Sequence, residues 1–198
     1  MSKVDDRRKK LREDLTLAAE RRIIDGGTQS VKARDLAKEV GCALGAIYTV
    51  FADMNDLIMA VNLRTFVKVD AAVSGSVDGR ENDPPLDRLM AMSIAYMHFA
   101  RDHTNIWRAL FSLEMSAELT APDWYVSELR DLFNHIAKPL SELFPELSAE
   151  DRDLLVRGLF SSVHGIILLG LERRISGVSP EQIEAMIYQI LARVAGKI

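Results

Sequence analysis

Residues 34–57 read RDLAKEVGCALGAIYTVFADMNDL, and this stretch decides the fold of the N-terminal part of the chain. Apolar residues at steps of three and four predict a helix over 30–40. Gly41 supplies the left-handed backbone that a helix end needs, and a second apolar segment, 44–51, follows after a very short turn. Two short helices joined in this way are typical of a helix-turn-helix, whose second helix lies in the major groove of DNA.

The rest of the chain has the same helical spacing and no sustained alternation of the kind that strands show, so we predict an all-α protein of about nine helices. Other helices are expected over 105–115, 124–143 and 148–175. Asp53, Asp83, Ser148 and Ser179 are the expected N-terminal caps, and Pro139 is expected to kink or end its helix.

Composition bounds the class of protein. With 198 residues, 48% of them hydrophobic and 27% charged, the chain can form a hydrophobic core, which excludes wholesale disorder. Its single cysteine, Cys42, cannot form an internal disulfide and fits a reducing compartment. The first twelve residues carry charges where a signal peptide is apolar, and uninterrupted apolar runs such as 166–169 are too short to span a bilayer. We therefore expect a cytoplasmic protein with no membrane partner.

The charge is unevenly distributed along the chain. Residues 1–51 contain 11 basic and 8 acidic residues, a net charge of +3, whereas the whole chain has a net charge of −4. A basic N-terminal part followed by an acidic remainder is consistent with binding of the N-terminal part to a polyanion. It is equally consistent with a helix face whose charges are simply exposed to solvent.

Several short motifs in one register resemble the tetracycline-repressor-like (TetR/AcrR) family of bacterial transcription regulators. The matching motifs are RDLA at 34–37, VG at 40–41, GAIYTVF at 45–51 and DL at 56–57. A looser match, VHG at 163–165, looks like the W-H-G motif of one branch of the family. The resemblance implies a homodimer that binds a palindromic operator in double-stranded DNA and is released by a small-molecule effector.

The resemblance also implies a division into a DNA-binding domain, 1–55, and a regulatory domain for effector binding and dimerisation, 56–198. Composition alone places the clearest break later, at 74–84 (SGSVDGRENDP), where glycine, serine, aspartate and proline are dense.

Carried over position by position, DNA contacts fall on the opening and exposed side of the second helix, at Ala43, Leu44, Gly45, Ala46, Tyr48 and Thr49. Further phosphate contacts are expected from Lys32 or Lys38 and from the basic N-terminal arm, whose residues are Lys3, Arg7, Arg8, Lys9, Lys10 and Arg12. The chain departs from the family twice, with Met54 in place of a usual lysine and Ala43 in place of a serine or threonine cap. Leu44 and Tyr48 could instead be ordinary packing residues.

A set of large side chains in the middle of the chain is expected to line an effector pocket, as the resemblance implies. The set is Phe66, Met97, Trp107, Phe111, Trp124, Phe133, His135 and His164. From the residues alone, the alternative is that they form plain core, and that the histidines are structural.

The last two predicted helices are expected to pair with the same helices of a second copy in a four-helix bundle. The residues assigned to this interface are Gly158, Ser162, Gly165, Ile166, Ile183, Ile187 and Ile190. The alternative is that these helices are buried within one chain.

An enzyme is the competing class of function, but the sequence has no catalytic motif. The four histidines lack the spacing of a metal-binding helix, and the sequence around Ser161 lacks the glycines of a nucleophile elbow. We therefore expect no metal and no cofactor. A helical sensor whose N-terminal part binds DNA weakly or not at all is the second alternative.

Overall fold

The computed structural model describes residues 3–113, 122–172 and 178–196, and those residues form nine α-helices and no strand. The predicted all-α fold is confirmed. The helices are α1 (Lys3–Gly26), α2 (Ala33–Val40), α3 (Leu44–Ile47), α4 (Met54–Gly75), α5 (Pro85–Asp102), α6 (Thr104–Ala109), α7 (Asp123–Leu143), α8 (Ala149–Leu171) and α9 (Pro180–Val194). A 3₁₀ turn, Thr28–Ser30, lies between α1 and α2.

The chain forms two compact units. The first unit consists of Met1–Val67 and His103–Val126, and the second consists of Lys68–Asp102 and Ser127–Ile198. Neither unit coincides with the division at residue 55 that the family resemblance implies.

In the first unit, α1 packs against α2 and α6, and α2 packs against α3. One face of α1 is fully buried, because Leu15, Ala18, Ala19 and Ile23 have no exposed surface. Leu36 of α2 and Ile47 of α3 are buried to the same extent. The apolar face of α1 therefore holds α2, which in turn holds α3.

In the second unit, α5 packs against α8 and α9, which also pack against each other. Gly170 makes the approach of α9 to α8 possible, because a Cβ there would lie 2.5 Å from Cδ1 of Ile183. Ile183 and Ile187 have 3% and 0% of their surface exposed, so the apolar stripe of α9 lies in the core of this unit.

Most of the predicted helix caps are confirmed. Gly41 has φ 75° and ψ 35° after α2, Asp53 accepts a hydrogen bond from the backbone N–H of Asp56 at 2.8 Å, and Ser148 accepts one from Asp151 at 3.1 Å. Ser179 and Gln182 form a reciprocal capping box at the start of α9.

The predicted cap of α5 is wrong by one residue. The side chain of Asp83 is bound to Arg80 at 2.7 Å, and the first helical hydrogen bonds are accepted by the carbonyl of Pro84. The helix therefore begins at Pro85, whose missing N–H costs nothing at that position.

The predicted start of α2 at residue 30 is also wrong. The Ser30 hydroxyl donates to the carbonyls of Arg22 and Gly27 at 2.7 and 2.6 Å, which ties this residue to the end of α1. The backbone of Lys32 is extended, and α2 begins only at Ala33.

Two other predicted helix ends differ from the structure. The helix predicted over 44–51 ends at Ile47, whereas α7 ends at Leu143 as predicted, with Pro139 inside it. The helix predicted over 105–115 spans Thr104–Ala109, and Met115 lies outside the described residues, as does Ile175, the predicted end of α8.

Candidate nucleic-acid interface and effector site

The helix-turn-helix forms because its turn is closed by the backbone. After α2, the N–H of Cys42 donates to the carbonyl of Ala37 at 2.9 Å across the left-handed Gly41. Ala37 and Ile47 are buried and bring α3 onto α2. The geometry presents one side of α3 to solvent.

The residues predicted to meet DNA on this second helix are mostly exposed. Leu44 and Tyr48 have 42% and 51% of their surface exposed, so they do not serve as core residues within this chain. Ala43, Gly45 and Thr49 are exposed as well, whereas Ala46 is half-buried. The Thr49 hydroxyl donates to the carbonyl of Ala46 at 2.7 Å.

The three predicted lysines, Lys9, Lys10 and Lys32, are exposed. Lys9 and Lys10 lie on α1, which begins at Lys3, and Lys10 is 3.6 Å from Asp14. Lys32 is the residue immediately before α2. All three ammonium groups can therefore reach an anion in solvent without unfolding a helix.

Two arginines of α1 bind backbone carbonyls just after the end of α3, a role that sequence reasoning missed. Arg8 donates to the carbonyl of Thr49 at 2.5 Å, and Arg12 donates to the carbonyl of Val50. The Arg12 guanidinium also lies 4.1 Å from the ring centre of the buried Phe51 and 3.4 Å from Asp56. We call this arrangement the arginine clamp.

The signal for the clamp is present in the sequence. Arg8 and Arg12 are spaced by four and continue the buried stripe of Leu15 and Ala19, so their side chains lie on the packed side of α1.

A second pair of arginines fixes α2 on α1. Arg21 and Arg22 donate to the two oxygens of the Glu39 carboxylate at 2.9 and 2.8 Å, and Arg22 also lies 3.8 Å from Asp35. The hydrogen bond from Arg21, followed by that from Arg22, lowers the pKa of Glu39 below its ordinary value. These cations are thus committed to the fold of the first unit.

The predicted effector residues fall into both units. Phe66, Trp107, Phe111 and Trp124 belong to the first unit, and Met97, Phe133, His135 and His164 belong to the second. Phe66 and Trp107 are buried, whereas Phe111 and Trp124 are 46% and 40% exposed.

In the second unit, Phe160 brings two of the predicted residues together. Its ring stacks on His164 with centres 5.6 Å apart and meets the edge of Phe133 at 5.2 Å. The Tyr96 hydroxyl lies 3.0 Å from Nδ1 of His164. We call Tyr96, Phe133, Phe160 and His164 the Phe160 cluster. Sequence reasoning missed Phe160, although it lies one helical turn before His164.

Burial lowers the pKa of His164 below its ordinary value, because the charged imidazolium loses hydration. The ring therefore favours its neutral form, in which Nδ1 can exchange a hydrogen bond with the Tyr96 hydroxyl. His135, by contrast, lies with Nε2 2.7 Å from a carboxylate oxygen of Asp70.

The first unit contains a buried polar contact that the sequence did not suggest. Asn62 is fully buried, and its amide donates to the carbonyl of Ala109 and to the hydroxyl of Tyr125, both at 3.1 Å. Burial raises the pKa of Tyr125 above its ordinary value, so the phenol stays protonated. Phe66 and Trp124 each meet the Tyr125 ring at its edge, with centres 5.2 and 5.6 Å away.

The predicted dimer surface divides into an exposed and a buried part. Gly158 and Ser162 are exposed, Gly165 and Ile166 are half-buried, and Ile190 is 38% exposed. Ile183 and Ile187 are core residues of their own chain, and we therefore remove them from the candidate interface.

Sequence reasoning missed exposed apolar residues that extend the remaining surface. Leu154 and Leu169 of α8 are 63% and 58% exposed and follow the spacing of Gly158, Ser162 and Gly165, while Met186 of α9 is 42% exposed. In length and composition α8 would suffice to cross a membrane, a test that core helices of soluble proteins also pass. Only 28% of its most apolar stretch is buried within the chain.

Within the described ranges, no group of three or more histidine, cysteine, aspartate or glutamate side chains is placed to hold a metal ion.

Comparison with known proteins identifies the family. Residues 89–194, more than half of the chain, match the family model of the tetracyclin repressor-like C-terminal domain. No curated protein of similar sequence is found. The chain therefore belongs to the tetracycline repressor-like (TetR) family of DNA-binding transcriptional regulators.

Solved structures share the fold at low sequence identity. RolR bound to resorcinol is 18% identical with a TM-score of 0.71, covering 97% of this chain and 90% of that chain. A TetR family protein from Vibrio parahaemolyticus is 22% identical with a TM-score of 0.61, covering 92% and 97%. FadR from Bacillus subtilis in complex with stearoyl-CoA is 15% identical with a TM-score of 0.62, covering 94% and 98%.

We expect Arg12→Gln to lower the free energy of unfolding by about 1–2 kcal/mol, because it removes the contact with the Phe51 ring and leaves the Val50 carbonyl without its donor. Urea denaturation measures the change. Arg7→Gln, an exposed neighbour on α1, is the control and should change stability by less than about 0.5 kcal/mol. Equal effects of the two substitutions would contradict the clamp.

We expect His164 to make the folded protein less stable in acid. Because its pKa is lowered in the folded chain, the unfolded chain binds the proton more readily, and the free energy of unfolding falls as the pH drops below the ordinary value of 6.5. Urea denaturation at about pH 7.5 and about pH 5.5 measures how far the free energy of unfolding falls between the two pH values, and this fall should be smaller for His164→Gln than for wild type. Tyr96→Phe should show the same fall as wild type, because burial is the cause of the lowered pKa. If the fall for Tyr96→Phe is as small as that for His164→Gln, this assignment is contradicted.

Proposed function

We propose that this regulator is a repressor that binds a palindromic operator as a homodimer and is released by a small, mostly apolar effector in the cytoplasm. The observation that carries the proposal is the α2–α3 pair, whose second helix is clamped from α1 and turns Leu44, Gly45 and Tyr48 to solvent. We assign DNA binding to residues 1–55, and effector binding and dimerisation to 56–198.

Two kinds of contact with DNA follow from this surface. The Tyr48 hydroxyl is suited to a phosphate oxygen, while Leu44 and the half-buried Ala46 offer only apolar contact to thymine methyl groups. Thr49 already donates its hydroxyl hydrogen to Ala46, so its oxygen serves as an acceptor unless that bond breaks. Lys9, Lys10 and Lys32 supply the charge that any duplex attracts.

The homodimer is supported by the surface of α8. Leu154 and Leu169 of this helix are exposed, and burying them against another surface would be favourable. A Cβ at Gly158 or Gly165 would meet no atom within 4 Å, so a second helix has room to approach there. The same face of a second copy is self-complementary in an isologous contact, as a two-fold dimer requires.

The effector site that we propose is the Phe160 cluster, where two phenylalanine rings, Phe133 and Phe160, lie beside one hydrogen-bonding pair, Tyr96 and His164. Such a lining suits a small apolar molecule with one polar group. RolR and FadR, which share the fold, hold resorcinol and stearoyl-CoA, and this supports ligand binding by the present chain. Because the family consists of regulators, we infer binding rather than catalysis as the role of this site.

Selection from random duplexes at low salt tests the DNA-binding function. We expect a palindromic site, and we expect Lys9→Ala/Lys10→Ala to flatten the log–log salt dependence of its binding by about 0.9 for each phosphate that is no longer neutralised. Lys68→Ala/Lys138→Ala, two exposed lysines outside the assigned DNA-binding domain, should leave the slope unchanged. If no duplex competes better than a scrambled one, the alternative of a sensor without DNA binding is favoured.

The effector and the operator should weaken each other's binding by the same factor, because coupling free energies are reciprocal. Calorimetric titration measures the binding of a compound library with and without the selected duplex. Phe160→Leu should weaken effector binding while operator affinity in the absence of effector stays at the wild-type level. Compounds that bind equally with and without operator would show that the site is not coupled to DNA.

The dimer should dissociate in Gly158→Leu or Gly165→Leu, because the added side chain projects into the proposed contact, and a Cβ at either position meets no atom of its own chain within 4 Å. Light scattering after size exclusion at micromolar concentration measures the mass. Gly75→Leu, which also has open space at a helix end, is the matched control and should remain dimeric. A wild-type monomer under these conditions refutes the proposed interface.

A further inference from the structure

The second unit contains a cavity of about 180 Å³ that the effector proposal does not use. The connection between α4 and α5 contributes Val77, α5 contributes Arg88 and Met92, and α7 contributes His135 and Pro139. Met92 and Pro139 are buried and give the cavity an apolar wall. The space is sufficient for a small organic molecule.

Arg88 is the unusual member of this lining. Its side chain is only 5% exposed, and one end of the guanidinium donates to the carboxylate of Glu142. Its Nε–H has no hydrogen-bond partner in the described part of the structure. A buried guanidinium N–H without an acceptor is unfavourable, so an acceptor entering the cavity gains a strong interaction.

The other charged groups around the cavity do not compete for the same position. Asp78, Glu81 and Lys138 are exposed, so water screens them, and Glu81 accepts from the N–H of Gly79. His135 is bound to Asp70. Arg88 is therefore the one cation of this lining that is both buried and incompletely bound.

Glu142 occupies the guanidinium through one oxygen, and 44% of its side chain is exposed. A carboxylate partner that reaches water can leave at low cost, because its charge is hydrated as it swings out. Glu142 thus occupies the position that a ligand carboxylate would take, since the Nε–H and the neighbouring N–H of an arginine bind two carboxylate oxygens side by side.

We propose that this cavity is a binding site for a short-chain monocarboxylic acid, whose carboxylate binds Arg88 in place of Glu142 and whose alkyl chain lies on Met92 and Pro139. The lining of this site shares no residue with the Phe160 cluster, although it includes His135 of the effector set predicted from the sequence, and ligand binding here does not depend on DNA binding. Its test therefore measures ligand binding alone.

Calorimetric titration of the full chain at neutral pH with butyrate and hexanoate tests the proposal, with butyramide as the neutral analogue. We expect both acids to bind and butyramide to bind about tenfold more weakly, because it cannot form the charged pair. Arg88→Gln should abolish binding of the acids, and Arg193→Gln, an exposed arginine on α9, should leave it unchanged.

Glu142→Gln is the decisive variant, because it removes the competing carboxylate from an exposed position and does not depend on whether Arg88→Gln folds. We expect it to tighten butyrate binding about tenfold. Equal affinity of butyrate and butyramide, unchanged or weaker butyrate binding by Glu142→Gln, or no binding of either acid at about 10 mM would overturn the proposal.

Discussion

Burial of one face of α1 is the constraint on which the DNA-binding part of the chain depends. α2 has eight residues and α3 has four, lengths at which helices are not stable in isolation. Both helices exist because Leu36 and Ile47 are removed from water together with the apolar stripe of α1. The exposed surface of α2 and α3 that is assigned to DNA binding therefore depends on α1.

The same dependence explains how the basic residues of α1 are divided. Arg8 and Arg12 are bound to carbonyls at the end of α3, and Arg21 and Arg22 to the carboxylate of Glu39. These four side chains are hydrogen-bonded within the fold, so a count of basic residues along the sequence overstates how many of them can contact phosphates directly. The exposed lysines of α1, whose ammonium groups need no fixed geometry, and the exposed Arg7 remain available to phosphates.

Local features of the fold could be predicted from the sequence, and features that join distant residues could not. The turn at Gly41 and the capping box at Ser179 depend on a few neighbouring residues. The end of α3 at Ile47 lies beside carbonyls bound by arginines 38 and 41 residues earlier, and the contact of Tyr96 with His164 joins residues 68 apart. Helical periodicity showed Ile183 to be on an apolar stripe, yet it could not show whether that stripe faces its own chain or another.

The arginine clamp binds main-chain oxygens of Thr49 and Val50, and every amino acid supplies that acceptor. Side chains at these two positions can therefore change while the donors on α1 keep the same partners. After gene duplication, the exposed side of α3 could acquire a new sequence preference through single substitutions without first acquiring a new means of holding the helix in place. The arginine contacts that hold α3 can therefore be inherited unchanged while the DNA sequence that α3 recognises diverges.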